Sequence, residues 1–268
     1  MRAALLTEYR KIVTTRLWWI LLLSMFVYLL GIGAAMAWSL SMGDAMGTGG
    51  GSSIKLVGVD LAALVYSIGV TVGSVFPLVV GTLSVTSEFR SQTITPTFLA
   101  EPRRGLVLAA KFIANAVMGA GFGIVATVGT AGGAATVFQL RGDPTFLGDP
   151  EIRRLLLGSV IALTVWALMG VALGAVLPNQ IAAVVVILGF TQLLEPVLRL
   201  LLGAFKATDG VAPYLPGAAA DAIVGQSLYT IGTSVQLLTR PAGLGVMLGY
   251  VLVLGVIGRF TTFRRDVT

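Results

Sequence analysis

The sequence predicts an all-α integral membrane protein, and three observations carry that prediction. Hydrophobic residues make up 56% of the chain and charged residues 11%, with a mean hydropathy of +0.93, whereas a soluble domain carries roughly 25% charged residues. The apolar residues gather in six stretches of about 20 residues or more, the length that crosses a hydrocarbon layer of roughly 30 Å. Lys and Arg are confined largely to the segments between those stretches, as positive-inside sorting requires. A globule of 268 residues has no interior able to hide so much apolar side chain, so lipid is the expected solvent.

Taken in order, residues 1–15 place Leu5, Leu6, Tyr9, Ile12 and Val13 at helical spacing around Glu8, Arg10 and Lys11. They predict an amphipathic interfacial helix with its basic face toward anionic headgroups. The spans follow at about Leu17 to Leu40, Leu61 to Thr86, Leu106 to Phe138, Leu155 to Leu177, Ile181 to Gly203 and Ala242 to Phe260. The first is too long for the apolar part of a signal peptide and is retained as a helix. The third exceeds one upright crossing and is rich in glycine, so a tilt, a kink and an exit near Ala135 all stay open. Gly43 to Ser53, with five glycines, reads as a flexible connector. Pro178, Asn179 and Gln180 read as a tight turn. The segment Ala204 to Pro241 carries Pro213, Pro216 and an Ala-rich stretch, which predicts short re-entrant helices.

Eleven of the 18 Lys and Arg residues fall on the side that holds both termini, so both termini are expected in the cytoplasm of a multi-pass cell-membrane protein. The net charge of +6 forms no single basic stripe, which argues against a nucleic-acid partner. Without His or Cys, the chain has no imidazole or thiolate for a zinc site and no Ser/His or Cys/His nucleophile pair. None of Lys11, Lys55, Lys111 and Lys206 follows a glycine, so the phosphate-binding P-loop ending is missing. No enzyme activity and no cofactor are expected in this chain. Glycine pairs spaced by four at Gly69/Gly73, Gly119/Gly123, Gly129/Gly133, Gly170/Gly174 and Gly245/Gly249 predict close helix approach, mostly within the subunit.

Between the second and third spans, residues 88–104 start with an acid and pass through Thr93, Ile94, Phe98 and Leu99 to Pro102, Arg103 and Arg104. This is the pattern of a short amphipathic element pinned between two membrane helices. The segment resembles the first inner loop of the membrane subunits of type-2 ABC exporters, which include polysaccharide, drug and lantibiotic-immunity permeases. That loop reads as an acid, a basic residue two places on, Gly-Thr, a hydrophobic run, then Pro and Arg. The matching positions here are Glu88, Arg90, Thr93, Leu99, Pro102 and Arg104, with Gln92 in place of the Gly and Pro96 inside the stretch that should be helical. The layout of the whole chain is similar too, including Tyr214-Leu215-Pro216-Gly217 before the last span.

The resemblance implies a permease that dimerises with itself or with a similar subunit and binds two ABC ATPase subunits, which would hold the ATP and Mg. It would export an amphipathic substrate or move it between leaflets. The 88–104 loop would be the coupling helix: Glu88 caps the element or pairs with a basic residue of the ATPase, Arg90 meets carboxylates, and Phe98 and Leu99 fill an apolar groove. Two other classes stand beside this one, a non-transporting membrane scaffold or sensor and an ion-coupled secondary transporter, although the latter's usual cluster of mid-membrane acids is missing.

Gln192, Glu195 and Arg199 mark the far end of the fifth span as a candidate pathway mouth. Glu195 and Arg199 are one turn apart in the favoured order for an ion pair. Two readings stand, a buried pair and two solvated interfacial charges. Under the first, Glu195→Ala is expected to impair function more than a combined Glu195→Gln and Arg199→Met change. Asn115 is expected to make an interhelical hydrogen bond.

Overall fold

The computed structural model describes residues 2–46, 58–204, 210–230 and 236–263. The described chain is entirely helical apart from turns and loops. Six of its helical segments are long and apolar enough to cross a membrane: Leu17–Ser41, Val59–Arg90, Arg104–Arg141, Pro150–Val176, Gln180–Leu202 and Arg240–Thr261. In hydrocarbon the backbone must satisfy its own hydrogen bonds, and helices do so within one segment.

The first helix, α1 (Arg2–Thr14), is separated from α2 (Leu17–Met46) by a break at Thr15 and Arg16. The second apolar segment is two helices, α3 (Val59–Gly73) and α4 (Val75–Arg90), meeting at Ser74. Pro77 accounts for that joint, since it has no N–H to donate to the Gly73 carbonyl. A short α5 (Ile94–Ala100) follows, with Pro96 in its first turn. There a backbone N–H would have no intrahelical partner, so Pro96 does not interrupt the helix as its position in the sequence suggested.

The third span is one unbroken helix, α6 (Arg104–Arg141), closed by Gly142 in the left-handed region. It takes no exit near Ala135. Next come α7 (Pro150–Val176), starting on the Asp149 cap and Pro150, and α8 (Gln180–Leu188), capped by Asn179. A π-helical turn, Gly189–Leu194, joins α8 to α9 (Glu195–Ala204). Pro196 lacks the N–H that an α-helix would direct to the Gln192 carbonyl, and the wider turn absorbs that missing bond. Beyond it lie a 3₁₀ turn (Ala212–Tyr214), α10 (Pro216–Val224), a second 3₁₀ turn (Leu228–Thr230) and the last long helix, α11 (Arg240–Thr261). Most of the glycine-rich connector falls outside the described residues, and Gly43 itself lies within α2.

Helix α7 is central, with α4, α6 and α11 packed around it, while α2 lies along α6. Close approach depends on glycine, as at Gly133, where a Cβ would strike the Leu30 carbonyl, and at Gly170, where it would strike that of Leu78. Four of the five glycine pairs face other helices of the same chain, whereas Gly245 and Gly249 face open space. The helix ends define two poles. One gathers α1, α5, the start of α6 and Phe263, which stacks edge-on with Phe89 and Phe98. The opposite pole gathers α10, the end of α6 and the start of α11.

Candidate functional site

At the α1 pole, four charged side chains from three separate helices close into one network. Glu8 sits on α1 and shares its inward face with Lys11 three residues on. Lys11 donates to Glu8 Oε1 at 3.1 Å, to Glu88 Oε1 at 2.9 Å and to Thr97 Oγ1 of α5 at 3.3 Å. Lys111, about two turns into α6 and 0% exposed, donates to Glu8 Oε2 at 2.9 Å, to Glu88 Oε1 and to the Ser84 carbonyl at 3.0 Å. Each ammonium therefore uses all three of its protons. Burial alone lowers the Lys11 pKa, but Glu88 and Glu8 outweigh it and hold the ammonium above its ordinary value. Asn115, one turn past Lys111, donates to Ser84 Oγ at 3.0 Å and to the Lys111 carbonyl, giving the interhelical bond expected of it.

This geometry reverses part of the expected orientation of α1. Lys11 faces the bundle rather than headgroups, while Leu6, Tyr9 and Val13 are exposed. Helix α1 is held through Glu8 and Lys11, while Arg10 stays exposed together with the apolar Leu6, Tyr9 and Val13.

The coupling candidates divide in the same way. Glu88 is enclosed by Lys11 and Lys111 and does not point outward. Phe98 turns inward, lying 5.7 Å from the Phe263 ring with the Arg104 guanidinium 5.0 Å from its own centroid. Arg104 also donates to the Phe263 carbonyl at 2.8 Å. The outward residues are Arg90, which reaches Gln180 at 3.3 Å, together with Thr93, Leu99 and Pro102. Leu99 is 79% exposed. Gln92, which stands where the resembled loop has glycine, adopts φ +56°. That left-handed conformation costs a side-chain-bearing residue about 1 kcal/mol or more.

At the opposite pole the buried reading of Glu195 and Arg199 is the one the structure adopts, since Glu195 is only 2% exposed. Arg199 donates through Nε and Nη2 to Glu195 Oε1 at 3.1 and 2.9 Å, and through Nη1 to Asp221 Oδ2 at 2.7 Å. Ser227 donates to the same Asp221 oxygen at 2.6 Å. Glu195 Oε1 also accepts the Gly217 and Ala218 N–H groups at 2.6 and 3.2 Å. Residue 215 offers no side-chain cap, so the carboxylate of α9 caps α10 from outside. A Cβ on Gly217 would collide with the Arg199 guanidinium and the Glu195 carboxylate, which explains glycine in the Tyr214-Leu215-Pro216-Gly217 segment. The Tyr229 ring lies 4.9 Å from the Arg199 guanidinium carbon. Gln192 is exposed and joins these groups along a cavity of about 80 Å³.

Glu8, Lys111, Asp221 and Ser227 were missing from the candidate residues. Lys111 gave a signal, since it lies five residues inside its predicted span, where an ammonium needs a partner. Asp221 gave another as the sole charge in the Ala-rich 217–225 stretch. No model of a known protein family matches the chain, and a comparison with curated proteins finds no match either.

Proposed function

We propose that the chain is the transmembrane subunit of an ATP-driven ABC exporter, powered by separate nucleotide-binding subunits and moving an amphipathic substrate outward or between leaflets. The observation that carries this reading is the fixation of α5. Its inward side is tied to α1 by the Lys11 to Thr97 bond and to the chain's end by Phe98 against Phe263, while Leu99 projects outward. A partner pressing on Leu99 would push on α1, α4 and α6 together rather than bend a loop, which is what coupling of hydrolysis to helix movement requires. The left-handed backbone at Gln92 adds support, because it is a conformation that glycine adopts readily and the resembled loop has glycine at this position.

In this reading the α1 pole is cytoplasmic, Leu99 fills an apolar groove of the ATPase, and Arg90 and Arg103 flank it. Glu88 and Phe98 act from behind, by holding α5. The permease works as a dimer with itself or a similar subunit, in contact with membrane lipid.

Co-purification with a co-expressed ABC ATPase tests the reading. Leu99→Ala should weaken the complex by about 1.4 kcal/mol, roughly tenfold. Phe98→Ala should leave assembly largely intact but uncouple ATP hydrolysis from transport. If no ATPase co-purifies, or if combined changes at Arg90 and Leu99 leave binding and stimulated hydrolysis untouched, α5 is not a coupling helix. Gly47→Cys should label from outside the cell only, and labelling from inside alone would invert the proposed topology.

A further inference from the structure

At the α1 pole a cleft of about 500 Å³ opens between α1, the start of α2, the second half of α4 and the start of α8, within the usual size of a ligand site. It reaches from Glu88 back to Val80, about 12 Å along α4 at 1.5 Å per residue. Leu17, Val80 and Leu83 make one side apolar, whereas Glu88, Asn115 and Trp18 bring polar atoms to it. Those three residues hold buried polar atoms that have no partner among the described residues: Glu88 Oε2, Asn115 Oδ1 and Trp18 Nε1. Asn115 is 0% and Glu88 6% exposed, so bulk water does not readily solvate them.

The unmet groups specify their complement. Two acceptors require hydrogens from the occupant, and the indole N–H requires an oxygen. A hydroxyl both donates and accepts, so an occupant carrying more than one hydroxyl, a polyol, meets both needs. A permanent cation fits less well, because Glu8 and Glu88 are already balanced by Lys11 and Lys111. The source follows from the walls, since the lining residues Leu17, Val80 and Leu83 lie on two of the candidate membrane spans and offer acyl chains an apolar surface.

We propose that this cleft binds a membrane lipid through a hydroxyl-bearing headgroup, with the hydroxyls donating to Glu88 and Asn115 and a hydroxyl oxygen accepting from Trp18. The site belongs to this chain alone and does not rest on the transport reading. An occupant would bridge α2, α4 and α6 next to the network that holds α1.

Native mass spectrometry of the purified full chain tests this, with phosphatidylglycerol competing against phosphatidylmethanol, which has the same charge and no headgroup hydroxyl. Phosphatidylglycerol should be retained roughly fivefold better, about the value of one net hydrogen bond. Trp18→Phe, which removes only the N–H, and Asn115→Leu should each bring that preference toward one. Glu88→Gln serves less well, since it also disturbs the network. Equal retention of the two lipids, or an unchanged preference in both Trp18→Phe and Asn115→Leu, would overturn the proposal and leave water as the partner of these atoms. Displacement of the lipid by millimolar glycerol 3-phosphate would overturn the lipid assignment in favour of a soluble polyol.

Discussion

The two buried charge clusters at opposite poles differ in balance and in closure. The α1 pole sets two carboxylates, Glu8 and Glu88, against two ammoniums, Lys11 and Lys111. The other sets Glu195 and Asp221 against Arg199 alone among the described residues. The balanced cluster leaves Glu88 Oε2 and the neighbouring Asn115 Oδ1 without donors among the described residues. The unbalanced one directs a guanidinium, a serine hydroxyl and two backbone N–H groups at its carboxylate oxygens. Excess charge is tolerated where the surrounding dipoles are supplied by a helix N-terminus, and open hydrogen-bonding capacity is tolerated where net charge is zero and a cleft is at hand. The first arrangement fixes α10 to α9. The second fixes α1 while keeping polar atoms available to an occupant.

The largest expected effect comes from removing the single cation of the unbalanced cluster. Arg199→Met should destabilise the protein by about 4 kcal/mol, because two buried carboxylates then face each other. Changing Arg199 and Glu195 together, which the sequence suggested as a rescue, still leaves Asp221 unpaired. Recovery should require Glu195→Gln, Arg199→Met and Asp221→Asn in one chain, where Gln keeps an oxygen on the start of α10. Thermal unfolding in detergent reads all three variants, and full rescue by the double change would show that Asp221 is not part of the cluster's charge.

Lys111→Met should cost less, about 3 kcal/mol, since Lys11 still reaches both acids. One neutralisation, Glu8→Gln, should restore most of it, as expected of a cluster with equal numbers of each sign. If that repair fails while the triple change at the other pole succeeds, charge balance does not distinguish the two sites.

Smaller effects separate closed from open hydrogen bonding. Ser227→Ala removes a donor to a buried carboxylate and should cost about 1–2 kcal/mol. Ser84→Ala removes an acceptor from Asn115, whose amide keeps the Lys111 carbonyl, and a donor to the Gly81 carbonyl, which stays within its own helix ladder, and should cost about 0.5 kcal/mol. Similar losses from the two changes would erase the difference in closure.

The smallest effect is a pH dependence at the α1 pole. The Lys11 pKa is raised in the folded protein from an ordinary 10.5, so its contribution is complete below 10.5 and is lost as pH rises through the higher folded value. Proteolysis between α1 and α2 should therefore accelerate only above about pH 10.5. Acceleration already at neutral pH would mean that Lys11 does not hold α1.

The sequence by itself determined the class of fold and the approximate place of every span, because an apolar run of sufficient length in lipid has few structures open to it. It also determined several helix starts and stops. Pro150, Pro216 and Pro241 stand in first turns, and Gly142 and Gly225 follow last turns in the left-handed region. Such signals act within one turn of chain and need no knowledge of neighbours. Even the joint at Ser74 and the π-helical turn follow from single prolines.

Only the tertiary structure decided which charges meet and which faces remain outward. Glu8 and Lys111 are 103 residues apart, and Arg199 and Asp221 are 22 apart. Helical periodicity places a residue on a face without saying which helix that face will meet. For α1 it left the direction of Lys11 open, because one amphipathic pattern serves equally a helix lying on headgroups and a helix pinned by its charges to a bundle. The choice was made by Lys111, a cation that the length of α6 carries into the bundle and that only the acids of α1 and α4 neutralise there.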